Sequence, residues 1–278
     1  IQHIPKSHFP QVPIMNQYID QANQTWNIVY EAILHPPKIV SLQHIGIHFF
    51  AIFFFTVLLR IAHATLFTSV KKEAQYFALH TWVNFVIVIV SLPFGVDVLR
   101  NPSRAMFCGE DGRCSNQLPN ILTAAIHCYH MWMFTMKRVD LIHHTPAFVA
   151  IFFNMAYPTG PIQNFTMLFI MGIPGGYDYA LLVGMKHGFV GKMVEKRANS
   201  KLNLWIRSPG LIVSSFVIVQ GLTQYNDEFL SLGHKVGSAF VAFHNMWNAQ
   251  YFMNLAIQSE AIHAVMKDRM SPTRIPEP

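Results

Sequence analysis

"IVSLQHIGIHFFAIFFFTVLL", residues 39 to 59, carries no Asp, Glu, Lys or Arg. A helix needs about 20 apolar residues to cross a bilayer, and this run supplies them. Six further apolar segments follow, at approximately 77–99, 121–136, 141–157, 165–185, 211–225 and 236–258. The composition agrees. Hydrophobic residues make up 52% of the 278, Phe alone contributes 23, and charged residues reach only 12% where about 25% is usual. That is too little charge to cover a soluble surface. The expected fold class is therefore all-α: a polytopic membrane protein with about seven transmembrane helices in a bundle.

Loop charges give an orientation. Arg60, Lys71 and Lys72 follow the first segment, and Lys137 and Arg138 separate the third from the fourth. Lys186, Lys192, Lys196, Arg197, Lys201 and Arg207 lie between the fifth and sixth; Lys267, Arg269 and Arg274 follow the seventh. The alternate loops are poorer in cations, although Arg100, Arg104 and Arg113 interrupt the pattern in the second. The positive-inside rule then predicts an external N-terminal segment over 1–38, a bundle over 39–263 and an internal tail over 264–278. The net charge of +6 does not point to nucleic acid, because the basic residues lie between apolar runs with no aromatic-interleaved basic face. No secretory signal pattern opens the chain, and a processed N-terminus is compatible with that.

Residues 14 to 34 place Met15, Tyr18, Ile19, Ala22, Trp26, Val29, Tyr30 and Ile33 at three-and-four spacing among Asn, Gln and Asp. This predicts an amphipathic helix on the external membrane face, ended by "HPP". In "FCGEDGRC", Cys108 and Cys114 occupy a short glycine-containing external loop and are expected to form a disulfide; free thiols or a metal pair are the alternatives. Such a small loop stabilises the whole fold little and mainly holds the hairpin's shape. Cys128, inside a span, reads as a packing residue. The sequons at Asn23 and Asn164 fall at external positions, Asn164 too near the bilayer for modification. The sixth span is expected to begin near Pro209, at a first helical turn.

A charge at mid-bilayer costs about 2.5–3.5 kcal/mol on insertion scales, so each one needs a partner or a purpose. Asp178, in "GIPGGYDYALL", follows Pro174, Gly175 and Gly176, which open room beside it. It is expected to face the bundle interior, with His130, His143 or His144 as partners. His143 and His144 open the fourth segment, and Asp140 precedes them by three and four residues. On a helix it can reach either and orient an imidazole, the arrangement a general base requires. A self-solvating interfacial pair fits the same residues. His44, His48, His80 and His127 occupy neighbouring spans, but the repeated His-x-x-His-His clusters of membrane di-iron enzymes and the paired histidines of haem bundles are missing from the sequence. Metal is therefore not expected. The seventh segment lacks a central Lys for retinal, Lys235 lying at its mouth. Lys192, Lys196, Arg197, Lys201 and Arg207, interleaved with Phe189, Leu202, Leu204, Trp205 and Ile206, predict an interfacial helix that meets anionic lipid headgroups. An acidic cosubstrate such as a nucleotide or coenzyme A is the alternative there.

An HH opening the fourth helix, followed by "GYDYALLVGMK" in the fifth, resembles the TLC domain family, which includes ceramide synthases and translocon-associated membrane proteins. Asp178 matches the second Asp of the synthases' acidic motif, and Leu181 and Leu182 match its leucines. The first Asp falls on Gly175, the Glu on Val183, and Lys186 comes about one residue late. The resemblance implies a ring of helices around a cavity that admits an acyl chain. It further implies acyl transfer from coenzyme A to a sphingoid amine, with His143 or His144 as base and Asp178 as its orienter. The departures at Gly175 and Val183 bear on that chemistry. The function expected is binding or processing of a lipid within the bundle, with bound phospholipid or another lipid and no other cofactor. The alternative is a non-catalytic accessory subunit of a large organellar complex, such as a respiratory assembly. Membrane lipids, and on the second reading other membrane subunits, are the expected partners, in the endoplasmic reticulum or the mitochondrial inner membrane.

Overall fold

In lipid a backbone must satisfy its own N–H and C=O groups, and a continuous apolar run does so as a helix. The computed structural model describes residues 13–109, 114–224 and 230–270, with side chains from 19 to 266. Among these residues the chain forms eight helices and no strand. They are α1 (Pro13–Leu34), α2 (Leu42–Thr65), α3 (Gln75–Arg100), α4 (Leu118–Met133), α5 (Arg138–Ala156), α6 (Ile162–His187), α7 (Lys192–Gln224) and α8 (Leu232–Met270). Arg113, Asp227, Glu228 and Arg274 lie outside the described residues, as do the side chains of Met15, Tyr18, Lys267 and Arg269.

Four helices, α2, α3, α6 and α7, are long and apolar enough to cross a membrane, which makes the chain membrane-integral. Each of the seven apolar segments falls on one helix from α2 to α8, but α4 has 16 residues and spans about 24 Å, less than a bilayer's hydrocarbon core.

Helices α2 to α8 run alternately between two ends. At one end, Cys114 N–H donates to the Pro36 carbonyl, Gln117 N–H to Ile33 and Ser115 N–H to Thr159. Cys108 and Cys114 are joined there by a disulfide, with Cα atoms 4.3 Å apart. At the other, basic end, Lys71 Nζ donates to the Lys186 carbonyl, and Lys186 pairs with Glu73 at 4.0 Å. Helix α6 stops there on Gly188, whose φ of +84° suits glycine and lets the Phe189 N–H return to the Gly184 carbonyl.

The main contacts pair α7 with α8, α3 with α6 and α2 with α4. Glycine permits close approach in the second of these. A Cβ on Gly175 would lie 2.7 Å from Asn84 Nδ2, so α3 meets α6 there because no side chain intervenes.

Two helices contain a π-turn, Leu168–Gly172 in α6 and Asn203–Arg207 in α7. Each ends two residues before a proline, Pro174 or Pro209. Proline has no N–H and its ring crowds the preceding turn, and a wider turn upstream relieves both problems. The expected break at Pro209 is therefore absent. The predicted interfacial helix and the sixth span form one helix of 33 residues, because the π-turn absorbs the proline.

Among its described side chains, helix α1 docks only by its last turn. Ala32 is fully buried, and His48 Nε2 donates to its carbonyl at 2.8 Å. Ile19, Trp26 and Tyr30 are exposed, so the apolar side of α1 is free of the bundle.

Candidate functional site

A cavity of about 390 Å³ opens inside the basic end of the bundle, within the size range of small-molecule sites. Helices α3 to α8 all contribute to it. Its polar lining comprises His80, His127, His130, His143, His144, Asp140, Asp178 and Arg207, with Tyr76 and Tyr179; Ile126, Ile170, Met171 and Phe252 add apolar surface. Both π-turns face it: Ile170 and Met171 belong to one, Asn203 and Arg207 to the other.

The imidazoles form a packed cluster. His127 lies 4.4 Å from His144 and 5.4 Å from His143 between ring centroids, and His130 lies 5.2 Å from His144. His127 Nδ1 donates to the Thr123 carbonyl at 2.6 Å, which leaves Nε2 as the acceptor of a neutral ring. His80 sits between Tyr179 and Tyr76, with centroids at 4.2 and 4.5 Å, and neither of its ring nitrogens has a hydrogen-bond partner. Among the described residues no group of three or more His, Cys, Asp or Glu is arranged to hold a metal ion. The rings meet tilted or edge to face, at interplanar angles of 47° to 65°.

Sequence reasoning placed Asp178, His130, His143 and His144 together, and they do line one cavity. They are not hydrogen-bonded to one another. Asp178 Oδ1 is buried without a partner, and the charged groups that act on it are Glu195, Lys196 and Arg207. Asp140 reaches neither histidine. Its Oδ2 accepts from the Lys137 N–H at 2.8 Å, which caps the start of α5. A carboxylate at the third helical position satisfies a donor that the helix itself leaves free, and this local bond takes precedence over the imidazoles.

Arg207 differs most from its expected role. It was grouped with the headgroup-facing cations, yet it lines the cavity. Its Nη2 donates to Asn248 Oδ1 at 2.9 Å, its guanidinium carbon lies 4.6 Å from the Phe252 ring centroid, and its Nε is buried without a partner. Of its former companions, Lys196 pairs with the fully buried Glu195 at 3.2 Å and Arg197 with Glu260 at 3.9 Å. Lys192 and Lys201 are exposed.

Other candidates lie away from the cavity. His44 joins Ser41 in the cap of α2. His63 bonds Tyr129 and Gln75. Cys128 is a half-buried free thiol packed against apolar neighbours. Asn164 is 1% exposed and its amide donates to the Asn116 carbonyl at 3.0 Å, so this sequon is inaccessible; Asn23 is exposed on α1. An apolar groove of about 490 Å³ between α2, α3 and α4, lined by residues such as Phe55, Leu59 and Trp82, shares no residue with the cavity.

Compared with known proteins, the chain matches no family model, no curated protein and no solved structure.

Proposed function

We propose that this chain is a TLC-like, seven-span membrane protein that holds a polar lipid headgroup in the basic-end cavity. The observation that carries the reading is that Asp178 and Arg207 enter one cavity without reaching each other. No ion pair within 4 Å joins them, and each keeps a buried polar atom without a partner. A ligand with hydrogen-bonding groups satisfies both, whereas an apolar guest satisfies neither. Anionic groups suit Arg207, which Phe252 and Asn248 hold in place; cationic or donor groups suit Asp178.

Binding is favoured over acyl transfer. A general base needs an oriented imidazole, and neither His143 nor His144 is hydrogen-bonded to a carboxylate. In this reading the N-terminal segment and the disulfide face the outer, oxidising side, and the basic loops face inward. The membrane in this reading is that of the endoplasmic reticulum or the mitochondrial inner membrane.

The test is extraction of the protein in mild detergent, with mass spectrometry of the lipids that remain after gel filtration. One lipid class is expected at near-equimolar amount, and reduced at least several-fold in Arg207→Gln and Asp178→Asn. Retention of the same lipid by both variants, or no retained lipid in the wild type, defeats the proposal.

A further inference from the structure

The histidine cavity is the first of four cavities that succeed one another along the bundle. It shares His127, His143, Ile170 and Met171 with a second, of about 30 Å³. The second shares Asn154, Thr166 and Val241 with a third, of about 10 Å³. The third shares Met106 with a fourth, of about 790 Å³, which opens beside the disulfide. The series therefore runs from one end of the bundle to the other.

Its middle is polar where a membrane bundle would ordinarily be apolar. Around the second cavity, His143 Nδ1, Thr166 Oγ1, both ring nitrogens of His244, both amide atoms of Asn245 and Asn248 Nδ2 are buried without a protein partner. Beyond it, hydrogen bonds connect side chains in sequence. Asn154 donates to Asn120 (3.4 Å), Asn120 to Gln117 (2.9 Å), Gln117 to Gln163 (3.1 Å) and Ser115 to Gln163 (2.7 Å). Ser115 lines the disulfide-end cavity. A volume of about 10–15 Å³ admits one water, so the narrow section has room for single waters and none for a hydrated ion or a lipid.

We propose that this series is a proton path that connects the histidine cluster with the disulfide-end cavity. Waters in the narrow section would bond the stranded atoms of His143, Thr166, His244, Asn245 and Asn248 and complete a file of donors and acceptors. Transfer consumes nothing: an imidazole accepts a proton on one ring nitrogen and gives one up from the other, and each water does the same through its oxygen. The Asn and Gln amides hold the waters in place and take no proton themselves. The charged and titratable groups facing the path at the basic end are His80, His130, His144, Asp140, Asp178, Tyr76, Tyr179 and Arg207. At the other end, among the described residues, they are Lys38, Asp97, Arg104 and His234. Arg207, bonded to Asn248 at the entry, disfavours hydrated cations there, and a narrow section with room only for single waters confines the flux to protons. The path does not depend on the lipid reading, since its narrow section cannot admit a lipid.

The test uses the full chain in phosphatidylcholine vesicles loaded with a pH-sensitive dye, with a potassium gradient and valinomycin to drive protons. Proton flux at least 10-fold above protein-free vesicles is expected, with no sodium flux. Thr166→Val, which keeps the side chain's shape, should lower it at least 5-fold. Ser91→Ala, at a buried hydroxyl that lines none of the four cavities, should leave it unchanged. Wild-type vesicles that hold their gradient as long as protein-free ones overturn the proposal. Equal losses in Thr166→Val and Ser91→Ala, or equal sodium and proton fluxes, overturn it as well.

Discussion

Helix α4 passes through two polar regions that are built differently. Near its start, Gln117, Asn120, Asn154 and Gln163 are buried and answer one another, and Gln117 alone reaches Gln163, the Asn154 carbonyl and Asn120. Two turns later the same helix presents His127 and His130 to a region where His80, His143, His144, Asp178 and Arg207 each keep a buried atom without a partner. A satisfied network fixes shape and strands its members when one is removed. An unsatisfied one favours an occupant. The first region holds the bundle together, and the second is available to a ligand.

The largest effect is expected where the satisfied network is cut. Gln117→Leu strands the Asn120 amide N–H and removes one of the two donors to Gln163, which keeps Ser115. A stranded group costs about 1–3 kcal/mol and each further lost bond about 1, so a loss of roughly 3 kcal/mol is expected in denaturant unfolding in bicelles. A neutral result would show that the network does not support the fold. Opening the disulfide with paired Cys108→Ser and Cys114→Ser should cost at most about 2 kcal/mol, because so short a loop constrains the unfolded chain little. The same unfolding assay under oxidising and reducing conditions checks this.

Gly175→Ala places a Cβ 2.7 Å from Asn84 Nδ2, and the shift it forces should cost about 1 kcal/mol. Asn84→Ala on that background should recover most of the loss, since neither polar atom of Asn84 has a partner to lose. A double variant no better than the single one would place the strain elsewhere. The smallest effect on stability belongs to the ligand-facing region. Asp178→Asn should stay within about 0.5 kcal/mol of wild type while it lowers lipid retention. A large drop in stability with lipid retained would mark Asp178 as structural.

The helices were legible because lipid leaves the chain few choices: seven apolar runs gave seven helices, and the glycine-containing loop gave the disulfide. What escaped was where charge points. Lys192, Lys196, Arg197, Lys201 and Arg207 read as one basic face, and nothing local distinguishes Arg207 except that it stands two residues before Pro209. The π-turn beside Pro209 sets Arg207 into a cavity lined by α6, α7 and α8, and which way that turn faces depends on packing that sequence does not display. His244, Asn245 and Asn248 were readable and were passed over. "HNMWN" sets three polar residues on one side of an apolar span, and the rule applied to Asp178, that a polar group in lipid needs a partner, applies to them too. Asp140 caps α5 instead: the Lys137 N–H, three residues before it, is as near in sequence as His143 and has no partner within the helix, so it takes the carboxylate.

The paired π-turns have a genetic consequence. A π-turn is an α-turn with one residue inserted, accommodated locally, so its removal heals the helix and leaves everything beyond it in phase. Loss of one residue within 168–172 should therefore keep Asp178 and Tyr179 facing as before, and loss within 203–207 should keep Ser215 on the Ala242 carbonyl. The same loss between Gly175 and Asp178 turns the rest of α6 by about 100° and points a different side chain at the histidines. These two five-residue stretches are where single-codon deletions should survive in helices that otherwise tolerate none.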